Sequence, residues 1–215
     1  MTALRIGLTG PIACGKSTVA GWLVDGGAAL VDADAVAREV TAPGTGGHDA
    51  VLARFGDAVR APDGTLDRVA LARIVFADPQ RLAELEAIVH PLVRPALLAR
   101  VETAEAEGAP VVAIEAIKLV EGGLAELCDE VWLVTCDPAD QGARLLRRGM
   151  AADDAGRRLA AQAGLAERLA PLSTRVIDTS GSRAEARARV RDGLAAAVAG
   201  RRPVSGSGGP AGSPS

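Results

Sequence analysis

The sequence has little of what several function classes require. No apolar run approaches the ~20 residues that cross a bilayer, so no membrane association is expected. The start of the chain has no basic segment followed by an apolar block and a cleavage site, and the expected location is cytoplasmic. Cysteine is limited to Cys14, Cys128 and Cys136, which form no C-x-x-C pair and no disulfide framework, in keeping with a reducing compartment. With only two histidines, and those apart, a structural zinc site is not expected. Excess positive charge is also missing. The formal net charge is −3, whereas nucleic-acid backbones are held by clustered surplus Lys and Arg, so no nucleic-acid partner is expected and any anion site must be local. There is no internal repeat, and no obligate protein partner is evident.

What is present is a globular composition, 48% hydrophobic and 24% charged over 215 residues, enough for one domain or one domain with a small insert. Its most specific stretch is Gly10-Pro11-Ile12-Ala13-Cys14-Gly15-Lys16-Ser17-Thr18, a complete G-x-x-x-x-G-K-S phosphate-binding loop. An apolar run, Leu4 to Leu8, precedes it, and a segment with helical spacing follows from Thr18 to Val24; the order is strand, glycine loop, helix. The two glycines permit a backbone that turns successive N–H groups inward at the positive end of the helix, and Lys16 and Ser17 suit a polyphosphate and its Mg²⁺. The expected ligand is ATP, with Ala13, Cys14, Gly15, Lys16, Ser17 and Thr18 holding it and Ser17 as the metal ligand. A regulatory nucleotide switch would also own such a loop, but the guanine-reading Asn-Lys-x-Asp motif is absent.

A second strand is predicted over Ala28 to Asp34, completing a β-α-β unit and placing Asp34 at the carboxyl end of a strand, where open α/β sheets bind ligands. Either Asp32 or Asp34 could equally cap the helix that follows. Residues 41–109 are too long for a simple crossover and carry helical patterns. These run from His48 to Phe55, from Asp67 to Phe76, from Asp78-Pro79, and from a second start near Pro91 towards Glu107, with His90-Pro91 at a helix junction. They are read as a helical substrate-binding insert in which Arg68 and Arg94 are candidates for a substrate phosphate. Pro110 to Glu115 and Asp129 to Cys136 are buried strands. Glu115 and Glu121 compete for a Mg²⁺-associated position, and Asp137-Pro138 reads as cap and first residue of a helix.

Between Gln141 and Arg168 six arginines face three acids. This segment reads as a basic lid made of two helices joined near Gly149 to Asp153. Most of its arginines suit a solvated face; Arg144 and Arg148, four apart, are the better candidates for phosphate contact. Arg175 to Asp178 is the last strand, Ser182-x-x-Glu185 a capping box that opens the final helix, and residues 201–215 have the Gly/Pro/Ser composition of a disordered tail. The fold class is therefore α/β: a P-loop NTPase-type parallel sheet with flanking helices, a helical insert and a basic lid. The nucleotide core is expected over 1–40, 110–140 and 170–200, the insert over 41–109 and the lid over 141–169.

Over residues 4–199 the chain resembles the dephospho-CoA kinase family. The resemblance is carried by Gly7-Leu8-Thr9-Gly10 with Gly15-Lys16-Ser17-Thr18, by Val31-Asp32-Ala33-Asp34 with Ala37-Arg38-Glu39-Val40, and by Asp63-Gly64-x-Leu66-Asp67-Arg68. It continues through His90-Pro91, Val120-Glu121, Gln141-x-x-Arg144-x-x-x-Arg148, Gln162 and Val176-Ile177-Asp178. It implies ATP-dependent phosphorylation of the ribose 3′-hydroxyl of dephospho-CoA, with Asp34 accepting the hydroxyl proton, Arg148 as the lid arginine on the ATP phosphates and Lys16 on the phosphates from below. The alternative is another small-molecule or nucleoside-phosphate kinase on the same scaffold. Two departures stand out. The family's usual Gly-Gly-Ile-Gly-Ser-Gly-Lys is replaced here by a loop with Pro11, Ala13 and Cys14, and its Pro-Leu-Leu segment by Ile117-Lys118-Leu119.

Overall fold

A computed structural model describes residues 2–200; the expected tail, 201–215, lies outside them. Five strands, β1 (Leu4–Thr9), β2 (Ala29–Asp32), β3 (Val111–Glu115), β4 (Glu130–Thr135) and β5 (Arg175–Asp178), form one parallel sheet in the order β2-β3-β1-β4-β5. Parallel strands are covered on both faces and so read as near-continuous apolar runs, as Val111 to Ile114 and Val131 to Val134 do. One face packs on α1 (Lys16–Asp25) and the last helix, through Val19, Leu23, Trp132, Ile177 and Val190. The other packs on α2 (Ala33–Val40) and α5 (Pro79–Ala106), through Val36, Val93, Leu97, Ile114 and Leu119.

The second strand is shorter than the sequence pattern predicts. β2 stops at Asp32, and Asp34 lies in the first turn of α2. Asp32 Oδ1 accepts from the N–H groups of Asp34 at 2.8 Å and Ala35 at 3.0 Å, so Asp32 is the cap and ends the strand itself. The register still brings the chemistry together. Asp32 pairs with Glu115 and Glu115 with Leu8, one residue before the end of β1, so three strands deliver their carboxyl ends to one place.

The insert departs more strongly. Helices α3 (Gly46–Phe55) and α4 (Arg68–Ala77) match their patterns, and Asp67 and Asp78 cap α4 and α5. The predicted junction at Pro91 does not exist: α5 is one helix of 28 residues with Pro91 and Pro95 inside it. An internal Pro costs about 3 kcal/mol. The helix is kept continuous by a stripe opposite the prolines, where Val93, Leu97 and Val101 are buried at about 1.5–3 kcal/mol each. The beginning of α5 instead joins α3 and α4 around a separate core of Val51, Val59, Leu71 and Val75.

The lid segment folds as α6 (Pro138–Arg147), α7 (Ala152–Ala161) and the short α8 (Leu165–Leu169). Asp137 precedes α6 but its side chain does not cap it; its N–H donates to Ser180 Oγ at 2.8 Å instead. The final helix, α9 (Arg183–Gly200), opens with the expected reciprocal box: Ser182 N–H to Glu185 Oε2 at 3.1 Å, and Glu185 N–H to Ser182 Oγ at 3.2 Å.

Candidate active site

The loop between β1 and α1 has a backbone that most side chains resist. Gly10 has φ +141° and passes so close to β4 that a Cβ there would lie 2.1 Å from the Val134 carbonyl oxygen; Gly15 has φ +90°. Ala13 adopts φ +60°, a left-handed conformation that costs an L-residue about 1–2 kcal/mol. These turns leave the N–H groups of Gly15, Lys16 and Ser17 without an acceptor among the described residues, at the end of a helix that no side chain caps. Such an end is an anion site.

Lys16 folds back over the loop, its Nζ donating to the Gly10 carbonyl at 2.7 Å, and burial holds its pKa below the ordinary lysine value. Ser17 Oγ donates to Glu115 Oε1 at 2.8 Å. Burial raises the carboxyl pKa of Glu115, and likewise that of Asp34, where the nearby Asp32 charge adds to the effect. Of the two competing glutamates, Glu115 meets Ser17, while Glu121 sits on an exposed turn.

Beside this charged edge opens a cavity of about 600 Å³ between α2, α5 and the segment after β3. Asp34 is on its wall and also lies within the electrostatic reach of Lys16. The rest of the lining is mainly apolar, with Pro91 and Pro95, one helical turn apart, exposed on it together with His90 and Arg94. Arg94 also donates to the Gly123 carbonyl at 3.1 Å. Arg68 is elsewhere, donating to Thr41 Oγ1 at 3.2 Å and tying α4 to the end of α2.

The arginine-rich segment, 141–169, is docked on the loop by contacts that composition could not reveal. Ile12 N–H donates to Gln162 Oε1 at 2.7 Å, and Gln141 Nε2 donates to the Ile12 carbonyl at 2.6 Å, so α6 and the residue after α7 grip one residue. Ala13 packs against Leu145 and Ala155. Arg144 does not point freely at a ligand: its guanidinium donates to Thr179 Oγ1 at 2.9 Å and to the Thr179 carbonyl at 2.7 Å, with a longer bond to the Ala13 carbonyl. Thr179 in turn donates from its hydroxyl to the Cys14 carbonyl at 2.7 Å. Arg148, just past the end of α6, is exposed yet close enough for its charge to act on Lys16. Arg157 pairs with Asp154 on the outer surface. Thr179 went unnoticed in the sequence; Gln141 and Gln162 stood out only within the family pattern.

A loop with an anion-binding backbone, a carboxylate between that loop and a large cavity, and an arginine-rich segment over the loop are the kinds of parts that phosphoryl transfer uses. The family model for dephospho-CoA kinase matches residues 4–185. The chain belongs to the dephospho-CoA kinase family. It is 54% identical over 168 residues to the dephospho-CoA kinase of Streptomyces avermitilis, covering 78% of this chain and 81% of that one. To the dephospho-CoA kinase of Symbiobacterium thermophilum it is 46% identical over 205 residues, 94% of this chain and 85% of the relative. The crystal structure of TT1252 from Thermus thermophilus superimposes with a TM-score of 0.78 at 34% identity, covering 91% of this chain and 98% of that one. Dephospho-CoA kinase from Campylobacter jejuni shares the fold, with a TM-score of 0.66 at 22% identity over 91% of this chain and 98% of that one. As a dephospho-CoA kinase, the chain transfers a phosphoryl group from ATP to dephospho-CoA, the last step of coenzyme A synthesis.

Proposed function

We propose that the reaction is run by three groups of residues from three parts of the chain. ATP lies with its phosphates on the loop, Ala13 to Thr18, where the inward N–H groups and the positive helix end hold them and Lys16 reaches the β- and γ-phosphates. Dephospho-CoA occupies the cavity, its ribose 3′-hydroxyl against Asp34. Arg148 closes from the lid onto the transferring group, and Arg144 holds the loop to Thr179. The insert, 41–109, is the acceptor-binding unit and 141–169 the lid, on a core of 1–40, 110–140 and 170–200. The enzyme works in the cytoplasm with small-molecule substrates and without nucleic acid, membrane or obligate protein partner.

The donors near Ser17 suit Mg²⁺, which takes one or two oxygen ligands from protein and the rest from phosphates and water. Ser17 would hold it, and Glu115, which already accepts the Ser17 hydroxyl, is placed to orient it. When bound, the ion neutralises charge on the β- and γ-phosphate oxygens. The protein's own work is positioning. Asp34 orients the weakly nucleophilic hydroxyl and takes its proton as the new bond to phosphorus forms, and a carboxylate with a pKa raised by burial is the better base for it.

The observation that carries this reading is that Asp34 is both on the cavity wall and in the field of Lys16. A panel of acceptors with ATP, followed by ADP release, tests it: dephospho-CoA should be phosphorylated far faster than AMP, adenosine or pantetheine, and the product should carry the phosphate at the 3′ position. Equal rates with AMP would assign the cavity to a simpler nucleoside phosphate.

A further inference from the structure

Two of the three cysteines meet beneath the phosphate loop. Cys14, inside the loop, and Cys136, just past the end of β4, come from positions 122 residues apart, and the Cys136 thiol donates to Cys14 Sγ at 3.1 Å. Both are free thiols. Cys14 is buried at 1% exposure, while Cys136 is half-buried. We infer that Cys14 and Cys136 form a reversible disulfide that switches off ATP binding, making the phosphate loop an oxidation-sensitive site.

The geometry needs only a modest closure, from 3.1 Å to the ~2.05 Å of an S–S bond. Chemically, hydrogen peroxide suffices as oxidant. The Cys136 sulfur, the more exposed of the two, attacks one peroxide oxygen, the O–O bond breaks, and the departing hydroxide takes the thiol proton and leaves as water. The Cys14 sulfur then attacks the Cys136 sulfenic acid; the S–S bond forms as the S–O bond breaks, and the hydroxide leaves with the Cys14 proton as a second water. The two thiols together lose two electrons, which the peroxide gains. The hydrogen bond that lowers the Cys14 pKa, helped by the charges of Lys16 and Arg144, raises that of Cys136 together with burial, so Cys14 is favoured as the thiol that attacks the sulfenic acid, and exposure rather than acidity makes Cys136 the sulfur that peroxide meets first.

The consequence falls on the loop. Cys14 sits between Ala13 at φ +60° and Gly15 at φ +90°, and its carbonyl is held by Thr179 at 2.7 Å, so a pull on its side chain is passed to the neighbouring amides rather than absorbed. Those amides face the phosphates, where a displacement of about 1 Å can cost on the order of 10²-fold. Cys128 provides an internal control. It is half-buried, as Cys136 is, but has no second sulfur beside it: its thiol donates to the Leu124 carbonyl at 3.5 Å, and burial has pushed its pKa up to about 12.

The inference rests on the loop being the ATP site, so ATP affinity is measured separately from turnover. The full chain, reduced and then treated with hydrogen peroxide, is analysed by peptide mass spectrometry, ATP titration and ADP release, before and after dithiothreitol. The expected result is a Cys14–Cys136 cross-link with Cys128 still free, ATP affinity and turnover reduced at least tenfold, and both restored by the thiol. Cys136→Ser should match wild type before treatment and form no cross-link after it, and its losses should be small. The inference is overturned if peroxide yields no Cys14–Cys136 link, if linked protein binds ATP as well as reduced protein, or if Cys136→Ser is inactivated to the same extent. Failure of the reduced protein to bind ATP at all would instead remove the assignment of the loop.

Discussion

The glycine loop and the apolar cavity lie side by side and are built in opposite ways. The loop is a short strained segment held by polar contacts from distant parts of the chain: Gln141 and Arg144 from α6, Gln162 from the end of α7, and Thr179 after β5. The cavity wall is mostly apolar, shaped by one long helix with two prolines and by the segment after β3, and among the described residues Asp34 is its one carboxylate. The difference fits the roles proposed for them. Charge on a transferring phosphoryl group is stabilised by dipoles fixed in advance, whereas a large organic acceptor is held by shape and burial. Changes in the loop should therefore act steeply on the chemical step. Changes in the apolar wall should act on acceptor affinity.

Within the loop and the arginine-rich segment, the largest effect is expected at Lys16, the one full positive charge inside the loop. Lys16→Ala should lower turnover by about 10²–10³-fold with the fold intact, as circular dichroism and ADP release would report. An unchanged rate would break the comparison at its polar end. Next comes Arg148. Arg148→Lys should cost about 10–100-fold, the equivalent of one charge-assisted hydrogen bond, because an ammonium lacks the planar fork of donors. Substitutions of Arg157, paired outward with Asp154, should cost little, and equal losses at both positions would mean the lid acts only as a diffuse field.

How much of this was readable from the chain differs between the two regions in the same way. The loop announces itself, because its backbone demands glycines at fixed places and its charge demands Lys16 next to them. Asp34 was also singled out, but through a strand that runs two residues too far. Asp32 and Asp34 both follow an apolar run, and nothing local says which one leaves the sheet until the Asp32 side chain is seen capping α2. The cavity was less legible. Pro91 reads as the start of a new helix, and only the burial of Val93, Leu97 and Val101 against the sheet explains why α5 runs through it. The contacts of Gln162, Thr179 and Cys136 were beyond local reading, since each bridges more than a hundred residues to the loop.

A smaller effect sharpens the picture of the lid. Gln162→Ala removes one neutral hydrogen bond to Ile12, worth about 1 kcal/mol, so the KM for ATP should rise about fivefold with kcat nearly kept. A fall in kcat alone, with KM unchanged, would mean that the contact matters in the transition state rather than in holding the loop.

The direct test of the account is Asp34→Asn, with substrate affinities measured by titration calorimetry and the chemical step by single-turnover kinetics. Asn keeps the size of Asp but cannot take the proton. ATP and dephospho-CoA should bind with near-normal affinity while the step slows by about 10²–10⁴-fold. Stability should move the other way. The folded pKa of Asp34 is raised, so its favourable contribution is present at low pH and lost as pH rises through that value; at neutral pH the ionised group costs stability, and Asp34→Asn should melt no lower than wild type. Asp32→Asn should be mild in both respects, since Asn caps a helix about as well as Asp. Slow chemistry with intact binding at Asp34 is the predicted result; normal turnover in Asp34→Asn, with the loss appearing in Asp32→Asn instead, would contradict it.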